Sequence, residues 1–308
     1  MRIIFLGTPE YAAVILRGLT EFCEVALVVT QEDKPVGRKM VLTPPAVKNA
    51  ALELGLRAAQ PKRLDLIADL LANLKPDFLI VAAYGQILSE RVLAIAPALN
   101  LHASLLPKYR GASPIQASLL NGDLESGLTL MRMDKGLDTG GIVGFAPITI
   151  GETRVAELTA RLAELGAGLV KTAFENWAIA REIPQYGADS SLTRKVKKSS
   201  GLLNFQLSAE EIFRAFRAYF GWPNVYLEGG LQLNEIKVAD LPILDRSADR
   251  NAVKIGEIIA IDKAEKSATI ACSRGAIKIF TVTPAGKKEI SAADYLNGKR
   301  LAIGDLFI

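Results

Sequence analysis

Leu99-Asn100-Leu101-His102-Ala103-Ser104-Leu105-Leu106-Pro107-Lys108-Tyr109-Arg110-Gly111-Ala112-Ser113-Pro114-Ile115 begins as an apolar strand and breaks into a Pro/Gly loop. Asn100 and His102 stand at i and i+2, so an extended backbone turns both toward one face. His102 is the only histidine among 308 residues, and imidazole is the one side chain that titrates near neutral pH without help. A carboxamide donor and a proton acceptor therefore share one side of a strand end.

The chain around this stretch alternates strands with helices. Arg2–Leu6, Glu24–Thr30 and Asp77–Ala82 read as buried strands. Ala46–Leu54, Asp65–Leu74 and Ser113–Leu120 read as helices, and Arg154–Ala180 carries an apolar stripe through Leu158, Leu162, Leu165, Leu169 and Ala173. This order predicts an α/β domain with a doubly wound, mostly parallel sheet, whose ligands bind at the carboxyl ends of the strands. Ala83-Tyr84-Gly85-Gln86-Ile87-Leu88 and the Asn100/His102 pair both fall at such ends. Gly7-Thr8-Pro9-Glu10 turns the first strand into a helix without a G-x-G-x-x-G fingerprint, so no dinucleotide cofactor is expected.

Past Ile183 the composition changes. Pro184–Ser200 is polar and holds Arg194, Lys195, Lys197 and Lys198 against one acid, Asp189, which reads as a basic linker. Short β-type runs follow at Leu231–Val238, Gly256–Ile261, Ala268–Ala271 and Ala276–Val282, the pattern of a small barrel or sandwich. The net charge of +4 is spread thinly, with 23 basic against 20 acidic residues in 1–200 and 14 against 13 in 201–308. Any polyanion surface must then be local. Lys34, Arg38, Lys39 and Lys48 form an acid-free run in a long loop that is either anion-facing or merely solvated. Two distant cysteines support neither a disulfide framework nor a metal site, and no apolar run reaches membrane-spanning length. We expect a cytoplasmic monomer with no membrane contact and no metal.

A third polar group completes a candidate site: Asp138, in Gly136-Leu137-Asp138-Thr139-Gly140. An amide donor suits an oxyanion, an imidazole accepts a proton, and a carboxylate orients the ring. No Ser or Cys sits in a nucleophile elbow, so the set fits direct attack by an external nucleophile on a carbonyl carbon. Taken singly, each residue has a structural alternative: a packed histidine, a turn asparagine, a turn-forming aspartate.

Asn100 through Gly111, followed by Met133-Asp134-Lys135-Gly136-Leu137-Asp138-Thr139-Gly140, resembles the formyltransferase family that uses 10-formyltetrahydrofolate. Phe5-Leu6-Gly7-Thr8-Pro9-Glu10-Tyr11-Ala12, Gln31–Arg38, Lys197–Phe205, Phe220-Gly221-Trp222-Pro223 and Pro284–Gly298 extend the likeness over nearly the whole chain. Three departures stand out: a shorter approach to Asn100 through Ala96–Leu99, fewer lysines in the 34–48 loop, and Phe-Gly-Trp-Pro in place of Pro-Trp-Pro.

The resemblance implies a Rossmann-like formyltransferase domain over 1–183, a basic linker over 184–204, and an OB-like, tRNA-binding barrel over 205–308. It implies formyl transfer to the α-amino group of initiator methionyl-tRNA, as in translation initiation. Asn100 is then the oxyanion donor, His102 the proton-transfer group and Asp138 its partner. Ser104, Leu105, Leu106 and Pro107 would line the tetrahydrofolate site, flanked by Gln86, Ile87, Leu88 and Asp134. Arg38, Lys39, Lys34, Lys195, Lys197 and Lys198 would meet tRNA. An amino-sugar nucleotide as acceptor, hydrolysis of the formyl-folate by water, and a tRNA-binding protein without activity are the competing readings.

Overall fold

The computed structural model describes residues 1–37, 39–179, 181–240 and 253–307. Its chain forms two compact units. The first comprises Met1–Ser118, Leu124–Glu152 and Glu157–Arg194; the second holds Leu119–Asp123, Thr153–Ala156 and the residues from Lys195 onward.

In the first unit, β1 (Arg2–Gly7), β2 (Glu24–Val29), β3 (Ala58–Ala59), β4 (Phe78–Ala82), β5 (Ala98–His102), β6 (Glu125–Arg132) and β7 (Ile142–Thr149) form one sheet. Its order is β7-β6-β5-β4-β1-β2-β3. The β1–β2, β1–β4, β4–β5 and β2–β3 pairs are parallel, and β6 runs against both β5 and β7. A parallel sheet is covered on both faces, so its strands are apolar throughout rather than alternating. All five residues of β4 are buried accordingly. Ile4, Leu6, Leu79, Val81 and Ala98 pack on one face with Leu71 of α3 (Ala68–Asn73) and Val92 of α4 (Glu90–Leu93).

After α5 (Pro114–Asn121) comes the long helix α6 (Val155–Glu175), which helix α1 (Glu10–Leu19), packed against α2 (Ala46–Glu53), approaches closely. A Cβ on Gly18 would stand 2.6 Å from that of Ala167, and one on Gly166 would stand 2.6 Å from Ile15. Two glycines thus permit this helix contact. Phe174 stacks on Phe78, with ring centroids 4.7 Å apart, and ties the end of α6 to the start of β4.

The loop expected from Gln31 to Pro45 contains a small hairpin, Lys34–Val36 against Val41–Thr43, with every described residue of both strands exposed. The expected linker also differs. Leu192–Thr193 pairs in parallel with Arg110–Gly111, and residues through Arg194 pack within the first unit. Its polar residues satisfy backbone groups of a folded loop, so low apolar content there reflects hydrogen bonding rather than a free tether.

In the second unit, the helix Ala209–Tyr219 (α7) opens with a capping box between Ser208 and Glu211. It precedes β8 (Val225–Tyr226), β9 (Gln232–Val238), β10 (Ile258–Asp262), β11 (Ser267–Ala271), β12 (Ala276–Thr283) and β13 (Ile290–Ser291). These strands make one antiparallel sheet in the order β8-β9-β12-β11-β10, with β13 on β12. A last helix, α8 (Ala292–Lys299), packs on β11 and β12, an element that the run of short strands does not announce.

Candidate active site

Strand β5 carries the candidate residues Asn100 and His102. Leu99 and Leu101 are buried on one face, and Ala98, Asn100 and His102 share the other. Asn100 lies between Val81 of β4 and Met131 of β6, and His102 stands opposite Thr129. The Asn100 side chain is half-buried and bonds to no other described residue, which leaves its amide N–H groups available to a ligand.

Beyond His102 the chain folds back on itself. The Ser104 hydroxyl donates to the Lys108 carbonyl at 2.6 Å, and Thr129 Oγ1 bridges the Ser104 carbonyl and the Leu106 N–H at 2.6 and 3.0 Å. This return brings the Tyr109 carbonyl to 2.9 Å from His102 Nε2. A carbonyl only accepts, so Nε2 carries the ring proton of the neutral imidazole. The Nδ1 lone pair then faces Asp138, whose Oδ2 is 3.6 Å away. Burial pushes the His102 pKa below its ordinary value, against the upward pull of the Asp138 carboxylate and the Tyr109 carbonyl. The resting ring is therefore neutral, and its one open basic nitrogen points at a carboxylate that would stabilise the protonated form.

Asp138 sits in the left-handed region at φ 53°. Its Oδ2 accepts the Gly111 N–H at 2.7 Å. Gly111 needs its lack of side chain: its φ is 106°, and a Cβ there would meet the Thr193 carbonyl oxygen at 2.5 Å. Gly111→Ala is expected to cost about 1–3 kcal/mol in stability. It should also lower activity, because the N–H that anchors Asp138 moves with the backbone. Denaturant melting alongside rate measurement checks both effects.

The expected folate wall divides by environment. Ser104 is fully buried and shapes the loop, Leu106 packs with Met131 and Ile142, and Leu105 and Pro107 are half-buried. Asp134 is exposed and holds its own turn, accepting from Gly136 N–H at 2.9 Å and Thr139 Oγ1 at 2.8 Å. Gln86 is engaged elsewhere: its Oε1 accepts from Leu64 N–H at 3.2 Å and its amide donates to the Pro61 and Lys62 carbonyls at 3.4 Å. Ile87 is 94% exposed, whereas Leu88 belongs to the core. A cavity of about 540 Å³ opens here, between Gln31, Lys62, Arg63, Gly85, Gln86 and Ile87.

Of the basic residues expected to meet tRNA, Lys34 and Lys39 lie exposed on the hairpin, and Lys195, Lys197 and Lys198 lie exposed at the start of the second unit. Arg38 lies outside the described residues. Among the described residues no group of three or more His, Cys, Asp and Glu side chains is placed to hold a metal ion. Nor is any described helix long and apolar enough to cross a membrane.

Sequence reading missed Gln185, Ser191 and Thr193. Ser191 Oγ accepts the Tyr109 N–H at 2.9 Å, and Thr193 Oγ1 accepts the Ser113 N–H at 3.1 Å. Polar residues in a supposed linker carry no motif, and only their hydrogen bonds reveal them.

Residues 1–173 match the formyl transferase family model and residues 195–300 match the model of the formyl transferase C-terminal domain. The chain belongs to the formyl transferase family. Among relatives of this formyl transferase, a methionyl-tRNA formyltransferase of Campylobacter curvus is 47% identical over 99% of each chain. One of Nitratiruptor sp. is 44% identical over the full length of both. Two solved structures share the fold. An N-formyltransferase from Helicobacter canadensis, in complex with folinic acid and dTDP-3-aminofucose, has a TM-score of 0.65 at 17% identity, covering 90% of this chain and 98% of that one. HypX from Aquifex aeolicus, in complex with tetrahydrofolic acid, has a TM-score of 0.59 at 16% identity, covering 96% of this chain and 47% of that one.

Proposed function

We propose that this formyl transferase moves the formyl group of 10-formyltetrahydrofolate to the α-amino group of initiator methionyl-tRNA. Full-length similarity to enzymes named for that reaction, across both family models, carries the choice of acceptor. The neutral amine adds to the formyl carbon, and the new oxyanion accepts an N–H from Asn100. The nitrogen's proton passes to His102, directly or through water, and the imidazolium is stabilised by Asp138. Collapse of the adduct breaks the bond to the folate nitrogen, which takes the proton back from His102 and leaves as tetrahydrofolate. An α-amino pKa of roughly 8 keeps a usable fraction of the amine neutral near pH 7.

The folate lies against Leu105, Leu106 and Pro107 in this reading, next to Asn100. Gln86 supports the neighbouring rim through its ties to residues 61–64. Transfer of labelled formyl to charged methionyl-tRNA tests the proposal, with an amino-sugar nucleotide, uncharged tRNA and water alone as the other acceptors. Formylation of the sugar, or formate release at the same rate without tRNA, overturns it.

Contacts to tRNA fall on the exposed cations rather than on stacked bases, so affinity should drop steeply with salt. Replacing Lys197 and Lys198 together by alanine is expected to reduce the slope of log affinity against log salt by roughly one for each phosphate that is no longer neutralised. Filter binding over a salt series reads this directly, and an unchanged slope removes the two lysines from the interface.

A further inference from the structure

Gln185 lies 47 residues from Asp138 in sequence, yet its side chain is wedged between the two loops that meet at His102. Its Oε1 accepts Arg110 Nε at 3.1 Å and Nη2 at 2.9 Å. Its Nε2 donates to the carbonyls of Asp138 at 3.0 Å and Gly140 at 2.7 Å. The guanidinium settles which end of the amide is which. Arg110 only donates, so the oxygen faces it and the NH₂ faces the two carbonyls. The two Nε2 bonds hold a loop whose central residue keeps a positive φ, and the two from Arg110 anchor the amide that makes them.

Arg110 is 8% exposed and, among the described residues, makes no ion pair with a carboxylate. A buried guanidinium with a neutral partner is costly, which argues that this pairing is kept for its geometry. We propose that Gln185 is a positioning residue: braced by Arg110, it holds the Asp138 backbone so that the carboxylate stays opposite His102 Nδ1. The inference rests on the catalytic reading of His102 and Asp138. It assigns to the supposed linker a part in the proton-transfer step.

The groups that face the imidazole are the Asp138 carboxylate from one loop and the Tyr109 carbonyl from the other. Arg110 is held by Gln185, and the Tyr11 hydroxyl of α1 donates to the Leu101 carbonyl at 3.4 Å. Asp138 raises the His102 pKa, so a displaced Asp138 lets it fall. The limb of the rate profile that His102 sets, below the one set by the substrate amine, then moves to lower pH. A purely structural defect would lower the amount of active enzyme and leave that limb where it was.

The test compares Gln185→Leu, which loses both sets of bonds, with Gln185→Glu, which keeps an acceptor for Arg110 and loses the two donors. Asp138→Asn and the Asp138→Asn/Gln185→Leu pair complete the set, with formyl transfer to methionyl-tRNA measured across pH. Both Gln185 variants should lose about ten- to a hundred-fold in kcat. Their KM values should hold, and their lower limbs should shift down in the same direction as that of Asp138→Asn. The double variant should be no slower than Asp138→Asn alone. If Gln185→Leu does not fold, Gln185→Glu carries the comparison. Unshifted lower limbs, or losses that multiply in the double variant, overturn the positioning role alone. An Asp138→Asn enzyme with wild-type rate and profile instead overturns the catalytic reading beneath it.

Discussion

Asn100→Ala should lower kcat for formyl transfer by about a hundred- to a thousand-fold, equivalent to roughly 3–4 kcal/mol of barrier, with KM changed far less. The amide is poised for a charge that exists only after the nucleophile has added, so its loss falls on the transition state. It is held on a strand between Val81 and Met131, where main-chain pairing rather than the side chain fixes its place. Among the described residues it has no partner to orphan, so the variant should melt close to wild type. Steady-state kinetics with a thermal melt separate the two effects. A variant within a few-fold of wild-type kcat would remove Asn100 from the chemistry.

His102→Ala is expected to cost about 10²- to 10⁴-fold in kcat, the usual worth of a positioned general base. Its pH dependence carries more information than its size. Burial lowers the His102 pKa, so the wild-type base stays neutral to a lower pH than a free imidazole would. Protonation of the attacking amine lowers the rate below about pH 8, and a second, steeper fall should follow as the pH drops through the depressed His102 value. His102→Ala should lack that lower limb.

Stability follows the same sign. The unfolded chain takes up the proton first, near the ordinary imidazole pKa, so the folded state loses stability as pH falls from there toward the depressed value. His102→Ala removes this increment, and urea melts at two pH values on either side of the window would detect it. Because alanine leaves a space beside Asp138, His102→Gln provides the check that the fold survives. A His102→Ala enzyme with an unchanged lower limb would assign that limb to another group.

Much of this was legible in the chain because it is local. The i, i+2 spacing of Asn100 and His102 fixes their common face, whatever the strand packs against. The alternation of apolar runs and helices places both at the carboxyl end of a parallel strand. The Gly-Leu-Asp-Thr-Gly turn is readable as a turn, and the second unit's strands fall close to their expected positions. The hairpin between Lys34 and Thr43 was hidden, because exposed strands with a proline inside lack the apolar alternation that signals a strand.

Gln86, which the resemblance puts beside the folate, has its amide tied to the backbone of residues 61–64, and nothing in its own stretch of sequence announces those ties. Gln185 shows the same limit from the other side: a polar residue without a motif gives no sign that its partners lie in two distant loops.

By itself, then, the sequence determined the class of fold, the strand end that bears the candidate site, and the common face of the Asn/His pair on it. These follow from backbone periodicity and turn chemistry within a few residues. The distance from His102 to Asp138, the proton's seat on Nε2, and the Arg110–Gln185 brace were decided only by tertiary structure. Each depends on where separate loops come to rest, and that is set by packing and hydrogen bonding between segments rather than by either segment's own pattern.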